Sequence, residues 1–351
     1  MRKPTLHIIT EYYPWTRLES FWKECFFDVD FEGYDVNIID GSYLRKESFL
    51  WSDTFYKTTQ LRSLIDMIHN NEVKHGDVFV FTNAWNFVAV PLSYFRDEYG
   101  IDFKMIGVWG NSTFNQNSPM YERFKRKNKK WGRQFELSLF QAYDWNCFFC
   151  EQHWKLFKSK YTLAERKGNW SVTGYPFEYL KRKVVEEPKE DVIIFPYEIV
   201  NSLQFQIFKG LRYELPQFKF VVAQEECNNR VLYTKFLRKC KVMFTAKRFE
   251  YNPVLIWEGM LNGVFPALPQ LGIFSVIFPE KYLYPKELAV PKNPNKFLYL
   301  VRNRLQTMQY LKDVFEQYDS LRDEILEDAR IIGDKYYSNK PFLEILNKIH
   351  D

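Results

Sequence analysis

Short apolar runs recur along the chain, separated by stretches in which apolar residues return every three or four positions. Leu6 to Ile9, Tyr34 to Ile39, Val78 to Phe81, Lys104 to Trp109 and Cys147 to Cys150 read as strands of a mostly parallel sheet. The intervening pattern predicts helices at about Leu18 to Phe27, Leu61 to Asn70, Phe87 to Tyr99, Glu136 to Tyr143 and Trp154 to Tyr161. A charged, apolar-poor stretch, Lys181 to Glu190, interrupts this alternation and predicts a linker near residue 185. The pattern then restarts. Strands are expected at Val192 to Tyr197, Phe218 to Val222 and Val242 to Phe244, and helices at Gln204 to Leu215 and Val231 to Cys240. Two long amphipathic helices, Phe297 to Gln317 and Leu321 to Tyr336, close the chain and are expected to pack back across the molecule. Two successive α/β halves follow from this reading.

The stretch Lys241 to Leu268, KVMFTAKRFEYNPVLIWEGMLNGVFPAL, stands apart. A buried strand runs into a charged loop, Lys247-Arg248-Phe249-Glu250. Asn252 and Pro253 then read as a helix cap followed by a first helical residue. The helix Val254 to Asn262 is apolar on nearly every face, and Gly263 suits the left-handed residue that ends it. Glu258 is the one acid inside this helix. A buried carboxylate is costly unless something specific pairs with it. Glu250 lies eight residues earlier, at the mouth of the helix, so the unit reads as a ligand site.

Composition narrows the class. With 351 residues, 46% hydrophobic and 26% charged, the chain has room for two globular domains. Aromatic residues reach 19%, a bias that an AT-rich genome would itself produce. The net charge is +5, and the basic residues cluster between Tyr121 and Arg133. Arg123, Lys125, Arg126, Lys127, Lys129 and Lys130 have the density of a solvated face or of a phosphate-backbone contact. Trp131 beside them offers a ring for stacking on an exposed base. Cys147 and Cys150 form a C-x-x-C, yet Phe148 and Phe149 between them and the absence of a second pair favour buried thiols. Neither a secretory signal nor a membrane-length apolar run is legible, so a soluble, cytoplasmic protein is expected. If the chain is phage-encoded, that cytoplasm is the host's. No metal site is expected.

Glu250 and Glu258 match the Glu-x7-Glu element of retaining nucleotide-sugar glycosyltransferases, and Glu258 to Leu268 resembles the ending of that motif with one extra residue. The segment Ile193 to Gln224 resembles the start of the donor domain in glycosyltransferases of phage genomes. The resemblance implies the GT-B architecture: two Rossmann-like domains facing across a cleft, with C-terminal helices packing back. On that basis residues 1–180 would be an acceptor domain, 190–320 a donor domain and 321–351 a helical segment crossing back. It further implies that Glu258 holds a ribose and that Glu250, in a catalytic role, contacts the donor sugar. Lys247, Arg248, Asn252 and Tyr197 would complete the donor site. The co-substrate would be a nucleotide sugar, UDP-linked by the same resemblance, with no tightly bound cofactor. One departure is clear. Family members carry an Arg and a Lys soon after the first strand of this domain, whereas Tyr197 to Ser202 holds no cation and the next is Lys209.

In the first half, a Gly-rich phosphate loop is absent after Leu6 to Ile9, which argues against a dinucleotide there. Glu11 and Asn83 stand at predicted strand ends, where open α/β sheets bind ligands, and become candidates for catalysis and acceptor binding. Three functional readings follow. The first is sugar transfer to a hydroxymethylated pyrimidine in phage DNA, reached by flipping the base. The second is transfer to a surface polysaccharide or lipid-linked glycan. The third is an inactive GT-B fold serving as a binding module.

Overall fold

The computed structural model describes residues 2–11, 21–25, 31, 33–42, 49–110, 113, 121, 131–162, 168–196, 203–227, 230–247, 250–289 and 297–350. The chain divides into two compact units, Met1–Tyr179 with Tyr336–Asp351, and Leu180–Lys335.

The first unit is built on a fully parallel sheet. Its strands are β1 (Thr5–Ile9), β2 (Asp35–Ile39), β3 (Val78–Phe81), β4 (Lys104–Trp109), β5 (Trp145–Phe148) and β6 (Asn169–Val172), in the order β2-β1-β3-β4-β5-β6. β1 and β3 are buried along their whole length, as continuous Val, Ile, Leu and Phe runs require when helices cover both faces. The connections include α1 (Phe49–His69), α2 (Ala89–Tyr99), α3 (Trp131–Ala142) and α4 (Glu151–Lys158). Gly107 in β4 is dictated by packing: a Cβ there would drive into the Tyr143 ring.

At the amino end of this sheet, Asp77 is fully buried and heavily used. The backbone N–H groups of Thr5 and Lys74 both donate to it at 2.8 Å, and His7 Nε2 lies 3.3 Å away. Burial alone would raise its carboxyl, but these hydrogen bonds outweigh burial and hold it below the ordinary carboxylate range. Asp77→Ala is therefore expected to cost about 2–3 kcal/mol by stranding two backbone donors. A carboxyl with a depressed folded value contributes stability above the unfolded value and loses it as pH falls through the folded one. The gap between wild type and variant in urea denaturation should accordingly be full at pH 7 and shrink below about pH 4.

The second unit repeats the theme with β7 (Glu190–Phe195), β8 (Lys219–Val222), β9 (Cys240–Phe244), β10 (Phe265–Pro269) and β11 (Leu283–Tyr284), all parallel, in the order β11-β10-β9-β7-β8. Its longer helices are α5 (Leu203–Glu214), α6 (Arg230–Lys239), α7 (Val254–Leu261) and α8 (Phe297–Tyr336). The last helix, α9 (Lys340–Lys348), belongs to the first unit.

Three departures from the sequence pattern have physical causes. The two terminal helices are one, α8, of 40 residues. Tyr318-Asp319-Ser320 looks like a break, yet Tyr318 is buried with its hydroxyl on Gly263 O at 2.6 Å, and Ser320 Oγ bonds Gln317 O within the helix. α1 begins twelve residues before the predicted Leu61, because its buried side includes Lys57 and Gln60, which mask the apolar period. β6 escaped because NWSV is a half-exposed edge strand without an apolar face. Cys147 and Cys240 are buried thiols, each pushed up to about 12 by burial.

Candidate functional site

In both sheets the first strand lies between the second and the third, so the connections on either side run in opposite directions. At such a reversal the loops splay apart at the carboxyl ends of the strands, which is where open α/β sheets take ligands. In the second unit that place is the end of β7 and β9. Tyr197, which follows β7, lies outside the described residues, as does Arg248 after β9.

The described residues that follow β9 are tied to one another by their own polar groups. Thr245 N–H donates to Ala267 O at 3.2 Å, and Thr245 Oγ1 accepts the Lys247 N–H at 3.1 Å. The Lys247 ammonium donates to Glu250 Oε2 at 2.6 Å. Glu250 Oε1 accepts the N–H groups of Tyr251 and Asn252 at 2.9 and 3.2 Å. A carboxylate has about four acceptor positions. Three of them are filled at Glu250, which is buried and fixed.

α7 itself is anchored at every side. Val254, Ile256, Trp257, Met260 and Leu261 are buried, each worth about 2 kcal/mol of transfer free energy. Gly259 lets the helix lie on β9, since a Cβ there would come within 2.7 Å of Met243 Cε. The Trp257 indole donates to Ala329 O of α8 at 2.8 Å. At the carboxyl end, Gly263 takes the left-handed conformation at φ 69° that the sequence predicts. Lys189 donates to Asn262 O at 2.5 Å and Cys240 O at 3.1 Å, and burial pushes its ammonium down to about 8. The amino end differs from the expectation. Pro253 rather than Asn252 occupies the cap position, and no side chain caps the helix. Proline carries no side-chain acceptor with which to cap, and Glu250 holds the two N–H groups just before it.

Glu258 lies one turn into α7 and is 3% exposed. Its partner is Arg230, the first residue of α6, whose Nη1 donates to Glu258 Oε2 at 2.6 Å. Sequence reasoning missed Arg230. A signal existed: a cation at the first position of a helix opposes the helix dipole and needs an anion nearby. The second acid of the pair thus carries its own guanidinium, delivered from the start of α6, after β8 rather than after β7. Among the described residues no hydrogen bond engages Glu258 Oε1.

The first unit offers a second polar cluster at its own reversal, between β1 and β3. The Asn83 amide donates to Glu11, and Asn83 Oδ1 accepts the Trp85 N–H at 2.9 Å. The Lys57 ammonium, almost fully buried, lies 4.0 Å from Glu11, 3.1 Å from Asp53 and 3.3 Å from Trp85 O. The structure thus brings Glu11 and Asn83 together and adds Lys57 and Asp53, an i, i+4 pair on the unrecognised start of α1. Below them, Glu136 is completely buried and accepts from Trp85 Nε1, Tyr161 Oη and the Thr113 N–H at 2.7, 2.8 and 2.6 Å. Burial pushes its carboxyl above the ordinary range despite these donors.

Arg123, Lys125, Arg126, Lys127, Lys129 and Lys130 lie outside the described residues. Trp131 opens α3 and is 54% exposed, edge-on to Phe135, which in turn packs edge-on to Trp85. An aromatic path therefore leads from the surface to the Glu11–Asn83 cluster. Among the described residues, no group of three or more His, Cys, Asp or Glu is placed to hold a metal ion, and no helix is long and apolar enough to cross a membrane.

No family model and no curated protein sequence matches this chain. Solved structures do. The chain is similar to the catalytic domain of starch synthase IV from Arabidopsis thaliana bound to ADP and acarbose, at TM-score 0.60 and 9% identity, over 99% of this chain and 98% of that one. It is similar to a putative UDP-N-acetylglucosamine 2-epimerase from Listeria monocytogenes at TM-score 0.57 and 14% identity, over 99% and 96%. The pneumococcal O-GlcNAc transferase GtfA, in complex with UDP and GlcNAc, matches at TM-score 0.56 and 9% identity, over 85% of this chain. The chain spans about 61% of the length of that transferase. Two parallel sheets of matching topology, each carrying a polar cluster at its strand reversal, give this chain the α/β architecture of two Rossmann-like domains found in GT-B proteins.

Proposed function

We propose that the chain is a glycosyltransferase that moves a sugar from a nucleoside-diphosphate sugar, UDP-linked in the simplest case, to a hydroxyl acceptor. The observation that carries this reading is the placement of Glu250 and Glu258. Both are buried, eight residues apart, at the carboxyl end of β9, on the loop and first turns that feed the strand reversal. In this reading Glu258 Oε1 accepts a ribose hydroxyl while Oε2 stays on Arg230. The positive end of α7 is assigned to the diphosphate, with Lys247 and Arg248 as the cations of the same segment. Glu250 uses its remaining acceptor position on a hydroxyl of the transferred sugar. Tyr197 is assigned to the same donor site. The nucleotides held by structures of the same fold support the donor class.

For the acceptor, a sugar hydroxyl on a glycan is the reading we favour. The starch synthase of similar fold holds acarbose, and Trp131 offers an exposed ring beside the aromatic path to Glu11 and Asn83. Transfer to a hydroxymethylated pyrimidine in DNA is the second reading, motivated by the basic run Arg123 to Lys130. One assay separates them. With radiolabelled UDP-glucose and UDP-N-acetylglucosamine, label should pass to an oligosaccharide mixture rather than to hydroxymethylated duplex DNA. Label on DNA alone would select the second acceptor. Neither transfer nor donor hydrolysis with any nucleotide sugar would reject the enzyme reading altogether.

A further inference from the structure

We infer that Asn252 is the residue that selects the donor sugar, by hydrogen-bonding one of its hydroxyl groups; this rests on the donor site proposed above. Asn252 is 6% exposed, and among the described residues neither its Oδ1 nor its Nδ2 has a hydrogen-bond partner. A buried carboxamide with both ends unpaired carries a desolvation penalty that folding normally avoids. Asparagine is among the preferred helix caps, and here it stands directly before the capless start of α7, yet it does not cap. Its backbone is held in place, with the N–H 3.2 Å from Glu250 Oε1. Its backbone is thus held beside the carboxylate assigned to the sugar and directly before α7, with its side-chain polar atoms unpartnered among the described residues.

The chemistry of the missing partner follows from the carboxamide. Nδ2 donates and Oδ1 accepts, so a ligand satisfying both must also accept and donate. A phosphate oxygen only accepts and would leave Oδ1 stranded. A sugar hydroxyl, or two adjacent ones, does both. Position agrees with chemistry. Pro253 supplies no N–H at the start of α7, so the Asn252 amide replaces a backbone donor that another residue there would present. A side chain that recognises a hydroxyl discriminates between epimers more sharply than a backbone N–H, because both its donor and its acceptor must be met.

The test compares wild type, Asn252→Ala and Asn252→Ser by calorimetric titration with UDP, UDP-glucose, UDP-galactose and UDP-N-acetylglucosamine, together with thermal unfolding of the free protein. The expected result is that Asn252→Ala binds the preferred UDP-sugar about tenfold more weakly while its affinity for UDP changes less than about twofold. Its preference among the three sugars should flatten. The free variant should unfold at the same temperature or a few degrees higher, since an unsatisfied buried amide has been removed. A purely structural asparagine would give the opposite sign, with Tm falling and sugar preference intact. If Asn252→Ala does not fold, Asn252→Ser carries the same comparison. Equal losses for UDP and UDP-sugar, or an unchanged sugar preference, would overturn the assignment of Asn252 while leaving the donor site standing. Wild type that binds none of the four ligands would overturn the donor site as well.

Discussion

Arg230→Met should destabilise the second unit by about 3–5 kcal/mol, one of the largest single-residue effects expected in this protein. The reason is the Glu258 carboxylate, which is 3% exposed and loses its guanidinium. An uncompensated buried charge is among the few mechanisms that reach this size. Glu258→Met should cost less, because Arg230 keeps part of its surface and can turn toward water. The double variant Arg230→Met, Glu258→Met is the informative one. Well-packed apolar pairs often match or exceed the stability of a buried ion pair. The double variant should therefore regain most of the lost stability in chemical denaturation, and it should still fail to bind UDP. Recovered stability with recovered nucleotide binding would mean that the pair is a packing device and that the ribose is held elsewhere.

Glu250→Ala is the second large effect, and it should appear in turnover more than in donor affinity. Glu250 is fixed by Lys247 and by the Tyr251 and Asn252 N–H groups, with one acceptor position left over. In the sugar-contacting role proposed for Glu250, a preorganised acceptor is worth on the order of 10²–10³ in kcat when removed. The Kd for UDP should move less than about threefold, since the proposed site assigns Glu250 to the sugar and not to the nucleotide. Glu250→Gln is the matching control: it keeps one oxygen for the backbone donors and loses the ion pair with Lys247. It should fold like wild type and remain impaired in turnover. A loss confined to UDP affinity in both variants would move Glu250 from the sugar to the nucleotide.

The alternation of apolar runs and helical periods was enough to read β1 to β4 and β7 to β9, with the ends of β3 and β4 legible to the residue. The central strand β10 was missed because Pro266 and Pro269 interrupt its apolar run. Central parallel strands are buried on both faces and announce themselves. Elements with polar faces did not. α1 hides behind Lys57 and Gln60, and β6 behind Asn169 and Ser171, because each buries polar groups or exposes one side to water. The same asymmetry governs the candidate site. Glu258 stood out as an acid in an apolar helix, and the loop residues Lys247, Glu250 and Asn252 were within reach of that clue. Arg230 was not, because its partner lies 28 residues away and only folding brings them together. Lys57 reaches Glu11 across 46 residues for the same reason. The expected cap at Asn252 failed because Pro253, which has no side-chain acceptor, took the cap position one residue later. That failure leaves, among the described residues, a buried carboxamide with neither end hydrogen-bonded, and the specificity assignment proposed above rests on it.

Calorimetric titration of wild type and Glu258→Ala with UDP and with UDP-glucose tests the central claim most directly. Saturable binding to wild type, reduced at least tenfold for both ligands in a Glu258→Ala protein that still folds, is the predicted result. Binding unchanged by the substitution, or no binding to wild type, would contradict a donor site at the carboxyl end of β9.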